Sequence, residues 1–476
     1  MSQVCRRWRT VLISSALLWT QIDCQSLTRT IASLERHRSV PLRLELRKGF
    51  SNEALNTVLD HGSEYTSVFV YLTTEQTDLL HKGLVTSSME EFVLFTDEDY
   101  GPPERITVDI RGEFKSLRRL LVSGFTLPID HIEAPNLIHL ALETSYPGSE
   151  YTANSILDML RGCPQLETVL LNCLVNPTRI QQSYPPITLP NLRSVELGYQ
   201  EIWAGLVIPL RFPPAVAVAF RGMCVAADHM VRESIQHVLA AIDIQSVTLA
   251  RIVDGVYEEL FRYEGPNGSL EITTLEGFRS FGHRELLLSY SQKLDNVKTL
   301  RVMNFDIYHD ETFAATMSAM NNLISISFVG CPRFPRPLIP KDGLPVPLPH
   351  LKHISGLHPG NSLVELARAR KGKGMPLSAV DVNGSPKDVE TVYIQELREF
   401  VEVVKVWRCG RLPERWADNL VLNAWEGAGY DGPVSVLLVS GRCHTEFSHR
   451  ELSTGCRYPA AEQIVVISTN VVEGLP

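Results

Sequence analysis

Leu137-Ile138-His139-Leu140-Ala141-Leu142 and Leu166-Glu167-Thr168-Val169-Leu170-Leu171 carry one spacing, apolar-x-x-apolar-x-apolar. The last two apolar positions lie two residues apart, the period of a strand with one buried face, and the first anchors the turn into that strand. The spacing is also found at Met89-Phe92-Leu94, Leu117-Leu120-Val122 and Leu192-Val195-Leu197. It returns at Ile244-Val247-Leu249, Val297-Leu300-Val302, Leu323-Ile326-Phe328 and Leu377-Val380-Val382. Weaker copies begin at Pro41, Tyr65, Ala215, Leu270 and Leu351.

From Pro41 to Leu377 the copies make 13 steps in 336 residues, a mean of about 26, inside the 20–29-residue window of leucine-rich repeats. Several lead-ins carry a proline that stops a helix and favours an extended start: Ala134-Pro135-Asn136, Cys163-Pro164-Gln165, Leu189-Pro190-Asn191 and Leu348-Pro349-His350. Segments such as Ser155–Arg161 have helical spacing, with Ser155 placed to cap and Gly162 to terminate. The expected class is therefore α/β: an irregular leucine-rich-repeat solenoid, a curved parallel sheet with outer helices. Regular repeats place a ladder-forming Asn or Cys after the strand. This chain has Phe125, Ser145, Leu174, Gln200 and Phe305 there, and only Cys331 fits, so the backbone groups of those turns need other partners.

Composition narrows function. The 476 residues are 44% hydrophobic and 21% charged, the balance of a folded chain. Forty-five basic against 54 acidic residues give a net charge of -9, no match for a phosphate backbone, so nucleic acid is not an expected partner. Residues 1–50 hold nine basic and three acidic side chains, a surplus of six, which leaves -15 on the remainder. Nine scattered cysteines suit reduced thiols in a cytoplasmic or nuclear protein, and no apolar run approaches a membrane helix.

At the amino terminus, Val4-Cys5-Arg6-Arg7-Trp8-Arg9 followed by Leu18-Trp19 resembles the second half of an F-box. Leu34-Glu35-Arg36 and Ser39 to Leu46 are similar to the segment after the F-box in the large fungal family of F-box proteins with degenerate leucine-rich repeats. That resemblance implies a substrate receptor of a cullin-RING ubiquitin ligase, docking on a Skp-type adaptor while the repeats hold a target protein. It implies that Val4, Cys5 and Trp8 pack the F-box helices and border the adaptor, and that Leu18 and Trp19 close the last turn against the repeats. The family's opening Leu-Pro and the apolar helix after it, which make much of the adaptor contact, have no counterpart ahead of Met1, so the expectation is either a truncated F-box sequence or a chain that does not bind the adaptor. The alternative is a repeat scaffold with no ubiquitin-ligase link.

Target binding is expected on the strand positions that avoid the core, which parallel stacking presents as rows. His139, Glu143, Asn172, Glu196, Thr299 and Arg301 are the candidates. Enzyme motifs are missing: Arg370-Lys371-Gly372-Lys373-Gly374 lacks the upstream Gly and the Ser/Thr of a phosphate loop. Cys443, His444, His449 and Cys456 miss the spacing of a zinc knuckle. No catalytic residue, metal or cofactor is expected. The chain divides into a partial F-box-like helical segment (1–24), the repeat array (25–388), a helical cap (389–410) and a tail of unknown or poor order (411–476).

Overall fold

A computed structural model of the chain describes residues 11–408, apart from segments 73–87, 97–111, 145–150, 174–183, 199–204, 222–228, 252–256, 276–293, 305–310 and 385–391 and isolated positions between them. Val4, Cys5, Trp8 and the 411–476 tail therefore lie outside the described residues.

The apolar spacing forms strands. β1 (Gln21–Ile22), β2 (Leu42–Leu46), β3 (Tyr65–Leu72), β4 (Glu91–Thr96), β5 (Arg119–Ser123), β6 (His139–Thr144), β7 (Thr168–Cys173), β8 (Ser194–Gly198) and β9 (Val216–Arg221) pair in chain order. Every one of these pairs is parallel. The order then breaks. From β10 (Ser246–Arg251) the chain reverses into β11 (Tyr257–Gly265) and again into β12 (Gly268–Leu275), and β12 pairs in parallel with β9. The hairpin strands β12 and β11 thus stand between β9 and β10, and only β11 runs against the rest of the sheet. Parallel pairing resumes from β10 through β13 (Thr299–Met303), β14 (Ser325–Val329), β15 (His353–Leu357), β16 (Ala379–Gly384) and β17 (Val403–Arg408). The result is one mostly parallel sheet of 17 strands. Among the described residues its end strands β1 and β17 each have one neighbour, so the sheet does not close into a barrel.

One turn leads into strand after strand. The N–H groups of Leu117, Leu137, Leu166, Leu192, Val297, Leu323 and Leu351 donate to the carbonyls of Phe114, Ala134, Cys163, Leu189, Leu294, Met320 and Leu348, at 3.0–3.2 Å. Each is a β-turn closed between two buried residues three apart. The next two N–H groups then share one carbonyl of the preceding unit: Ile138 and His139 both donate to Arg118, and Glu167 and Thr168 both donate to Ile138. Side chains tie neighbouring turns together, as where Asn191 Nδ2 donates to Gln165 Oε1 at 2.9 Å and Asn321 Nδ2 to Asp295 Oδ1 at 3.1 Å.

Strand exits answer the missing ladder residues. Asn304, Gly330 and Gly356, each 26 residues from the next, all take left-handed backbone with φ of 59°, 66° and 85°. A side chain at Gly356 would collide with the Phe328 carbonyl, so glycine is required there. Cys331 is buried, and its thiol donates to the carbonyls of Val302 and Val329 at 3.5 and 3.6 Å.

Helices α1 (Leu27–Arg36), α2 (Asn52–Asp60), α3 (Ala153–Gly162), α4 (His229–Ala241), α5 (Glu311–Ser318), α6 (Asn361–Gly372) and α7 (Val392–Phe400) connect strands. Their buried residues join Leu140, Leu142, Val169, Leu171 and the equivalent strand positions in one continuous core, so the helices cover one face of the sheet. Thr152, rather than Ser155, is the N-cap of α3; Ser155 sits three residues on and returns a hydrogen bond in a reciprocal capping box. Cys24 and Cys163 are buried free thiols, each pushed up to about 12 by burial.

The 389–410 segment is more than a helix. α7 is followed by β17, which pairs along all six residues with β16. Val401, Val404 and Val406 repeat the apolar spacing there and pack on the core. Similarly, β1 begins the sheet inside the 1–24 segment.

Candidate interaction face of the sheet

Alternation along each strand sends every second side chain to the face turned away from the helices. In register, the middle row of that face runs Glu45, Phe69, Val93, Leu121, Ala141, Leu170 and Glu196 from β2 to β8. Five successive strands, β3 to β7, thus place an apolar residue at its centre. Val93 and Ala141 are 6% exposed, while Phe69, Leu121 and Leu170 are half-buried. The Phe69 and Phe95 rings lie 5.5 Å apart, which widens the stripe. Polar contacts border it: Ser67 Oγ donates to Glu91 Oε2 at 3.0 Å, and Arg119 Nη1 donates to Glu91 Oε1 at 2.6 Å.

Beyond the stripe the same row becomes charged and hydroxyl-bearing: Glu271, Arg262, Thr248, Arg301, Ser327, Ser355, Asp381 and Lys405. At the inserted hairpin Glu271 accepts from Arg221 and Arg262, the latter through Nε at 2.7 Å, and Arg221 Nε also reaches Glu196 at 3.2 Å. Further along, His353 lies between Ser325 and Asp381, with Nδ1 3.2 Å from Ser325 Oγ and Nε2 3.2 Å from Asp381 Oδ2.

All six expected target-binding residues lie on this face, in two groups. His139, Glu143, Asn172 and Glu196 occupy β6 to β8; Thr299 and Arg301 are five strands further along on β13. His139 Nδ1 is 2.9 Å from Thr168 Oγ1, Glu143 and Asn172 are register partners, and Glu196 is engaged by Arg221. The apolar stripe and the Ser325–His353–Asp381 chain were not among the expected residues. The stripe has a sequence signal: where the residue between the last two core positions is itself apolar, as in Phe92-Val93-Leu94, Leu120-Leu121-Val122 and Val169-Leu170-Leu171, both strand faces are apolar. The Ser325, His353 and Asp381 chain has none, since its members are 28 residues apart and meet only through the register.

Burial, and then the Arg119 cation, hold the His139 imidazole below its ordinary 6.5, against the opposing pull of Glu167 and Glu91. The unfolded chain therefore takes up this proton first as pH falls, and stability is lost from about pH 6.5 downward. Urea unfolding at pH 7.5 and 5.5 is expected to show a smaller acid loss in His139→Gln than in the parent; equal losses would remove His139 as a source.

At the amino-terminal end, Trp19 Nε1 donates to the Leu12 carbonyl at 2.9 Å, and the Arg36 guanidinium lies 4.4 Å over the indole. Leu18 is 57% exposed, and Val11, Leu12, Ile13, Leu17 and Ile31 are exposed with it. The turns before β5 to β7 border an open hollow of about 460 Å³, lined by Glu90, Glu167, Lys115, Arg118 and polar neighbours, whose charges cancel. Among the described residues no group of His, Cys, Asp or Glu is arranged to hold a metal, and no helix is long and apolar enough to cross a membrane. No protein-family model and no curated protein matches the chain.

Proposed function

We propose that the chain is a leucine-rich-repeat solenoid that binds another protein on the sheet face turned away from its helices. The observation that carries this reading is the apolar stripe from Phe69 to Leu170, rimmed by charged and hydroxyl side chains. Protein interfaces combine a dehydrated apolar centre with a polar rim in this way, and Phe69, Leu121 and Leu170 stay half-exposed outside the helix-side core. The regular turns and the 26-residue spacing of Asn304, Gly330 and Gly356 support the repeat assignment. In the fuller form of the proposal the array holds the target of a cullin-RING ubiquitin ligase, and residues at the amino terminus contact a Skp-type adaptor. The exposed apolar residues Val11, Leu12, Ile13, Leu17 and Leu18 support that form.

Pull-down with purified Skp-type adaptor tests the second contact. Retention by the parent chain and loss of at least about tenfold in Leu17→Asp/Leu18→Asp, which places two charges in exposed apolar positions, would favour the receptor. No retention of the parent leaves the scaffold without a ubiquitin-ligase link. The face is tested separately: a photo-crosslinking residue at Leu121 is expected to capture a partner that Leu170→Asp releases, whereas equal capture by both chains would place binding elsewhere.

A further inference from the structure

We propose that Ser325, His353 and Asp381 form a nucleophilic serine site for activated acyl groups, carboxylic esters being the simplest. This inference does not depend on the protein-binding reading. The hydrogen-bond chemistry allows one arrangement when the imidazole is neutral. Asp381 as a carboxylate can only accept, so the His353 nitrogen facing it, Nε2, carries the proton. Nδ1 then has the lone pair, and the Ser325 hydroxyl 3.2 Å away must donate to it. A hydroxyl aimed at a base, with that base oriented by a carboxylate, is the constellation that activates serine toward acyl carbon. The Asp381 side chain is 14% exposed while that of His353 is 37% exposed. The orienting group is therefore screened from water and the base is reachable.

Three successive parallel strands hold the groups. Ser325 and His353 are register partners on β14 and β15, and Asp381 on β16 is the register partner of Ser355, two residues after His353. Thr299, an expected binding residue, is Ser325's register partner on the other side. In the step proposed, Ser325 Oγ bonds to the acyl carbon while its proton passes to His353 Nδ1. The alkoxide leaving group then takes that proton as the carbon–oxygen bond breaks. Water hydrolyses the acyl-serine by the same proton transfers in the opposite sense.

The strand setting also limits the rate. The N–H of Ser325 donates to the Lys298 carbonyl and that of His353 to Ile324, so these two donors are committed to the sheet and do not serve a developing oxyanion.

A fluorophosphonate probe tests the site on the full chain. Ser325 Oγ would bond to phosphorus, fluoride would leave and the proton would pass to His353. Peptide mass spectrometry is expected to find the label on Ser325, with labelling lost in Ser325→Ala and unchanged in Ser362→Ala, a serine on α6 away from this face. Labelling should slow roughly 100-fold in His353→Gln, the scale of general-base assistance. Asp381→Asn should also slow it, and thermal midpoints will show whether each variant is folded. No label on the parent chain, a label on another serine, or parent-like labelling of a folded His353→Gln would reduce the chain to a structural hydrogen-bond network and overturn the proposal.

Discussion

Arg370→Met is expected to lower the stability of the chain by about 3–5 kcal/mol, read as a fall in the urea midpoint at neutral pH. Arg370 projects from α6 and is 1% exposed, and among the described residues no carboxylate pairs with it. Its guanidinium donates instead to four backbone carbonyls of the turn before β15: Pro347 at 3.1 Å, Leu348 at 3.0 Å, Pro349 at 3.4 Å and Leu351 at 3.0 Å. Two of those residues are prolines, and Leu348 has a left-handed φ of 53° that a branched side chain adopts only under constraint. Burial pushes the guanidinium down to about 10, still far above neutral pH, so the cation is kept and its Nη1 and Nη2 donors remain on the four carbonyls. Methionine preserves much of the apolar stem but abandons buried acceptors, each worth about 1–3 kcal/mol when left unpaired. Lysine should recover little, because a single ammonium cannot span a fork of four carbonyls. A loss under about 1 kcal/mol in Arg370→Met would mean that water replaces the guanidinium and that the turn does not depend on it.

That turn shows where sequence logic succeeds and where it stops. Leu348-Pro349-His350-Leu351 is legible as a lead-in because apolar spacing and proline position are local properties. The same holds for Leu117, Leu137, Leu166 and Leu192, all buried in the core. The α/β class and the parallel sheet follow from those local signals. Arg370, by contrast, reads as part of a basic surface turn in Arg370-Lys371-Gly372-Lys373-Gly374, and only the docking of α6 reveals that it alone is buried. The inserted hairpin was obscured by averaging: a mean step of about 26 absorbs β11 and β12, and Leu270 with Leu275 passes for a degraded repeat. Gly265-Pro266-Asn267-Gly268 between alternating segments is the local sign of a reversal. On the interaction face, Glu143 and Asn172 could be assigned to one side of the sheet from period two alone. Which groups touch depends on register across connections of 20 to 30 residues, and one-residue slips there would exchange the faces.

The hairpin carries the other large expected effect: Glu271→Ala should cost about 3–4 kcal/mol. Glu271 is 7% exposed. Chain reversal sets Arg262 directly opposite it in the β11–β12 pair, and the small Ala219, its partner on β9, leaves room for Arg221 to bridge Glu196 and Glu271. Burial alone would lower the Arg221 pKa, but Glu196 and Glu271 outweigh it and raise it. Removing the shared carboxylate leaves two guanidiniums whose side chains are only 20% and 22% exposed, and breaking a buried pair on one side costs about 3–5 kcal/mol before allowance for that residual hydration. The same principle separates desolvation from mere loss of attraction. Arg221→Met/Arg262→Met/Glu271→Leu removes the shared carboxylate with both guanidiniums, leaves only the more hydrated Glu196 and Glu264, and should recover more than half of the single-variant loss, since an apolar replacement of similar volume requires no buried charge to stay hydrated. Urea unfolding of the parent, single and triple chains decides it: a triple variant less stable than Glu271→Ala would show that the ion cluster itself, and not its imbalance, holds the hairpin strands β11 and β12 between β9 and β10.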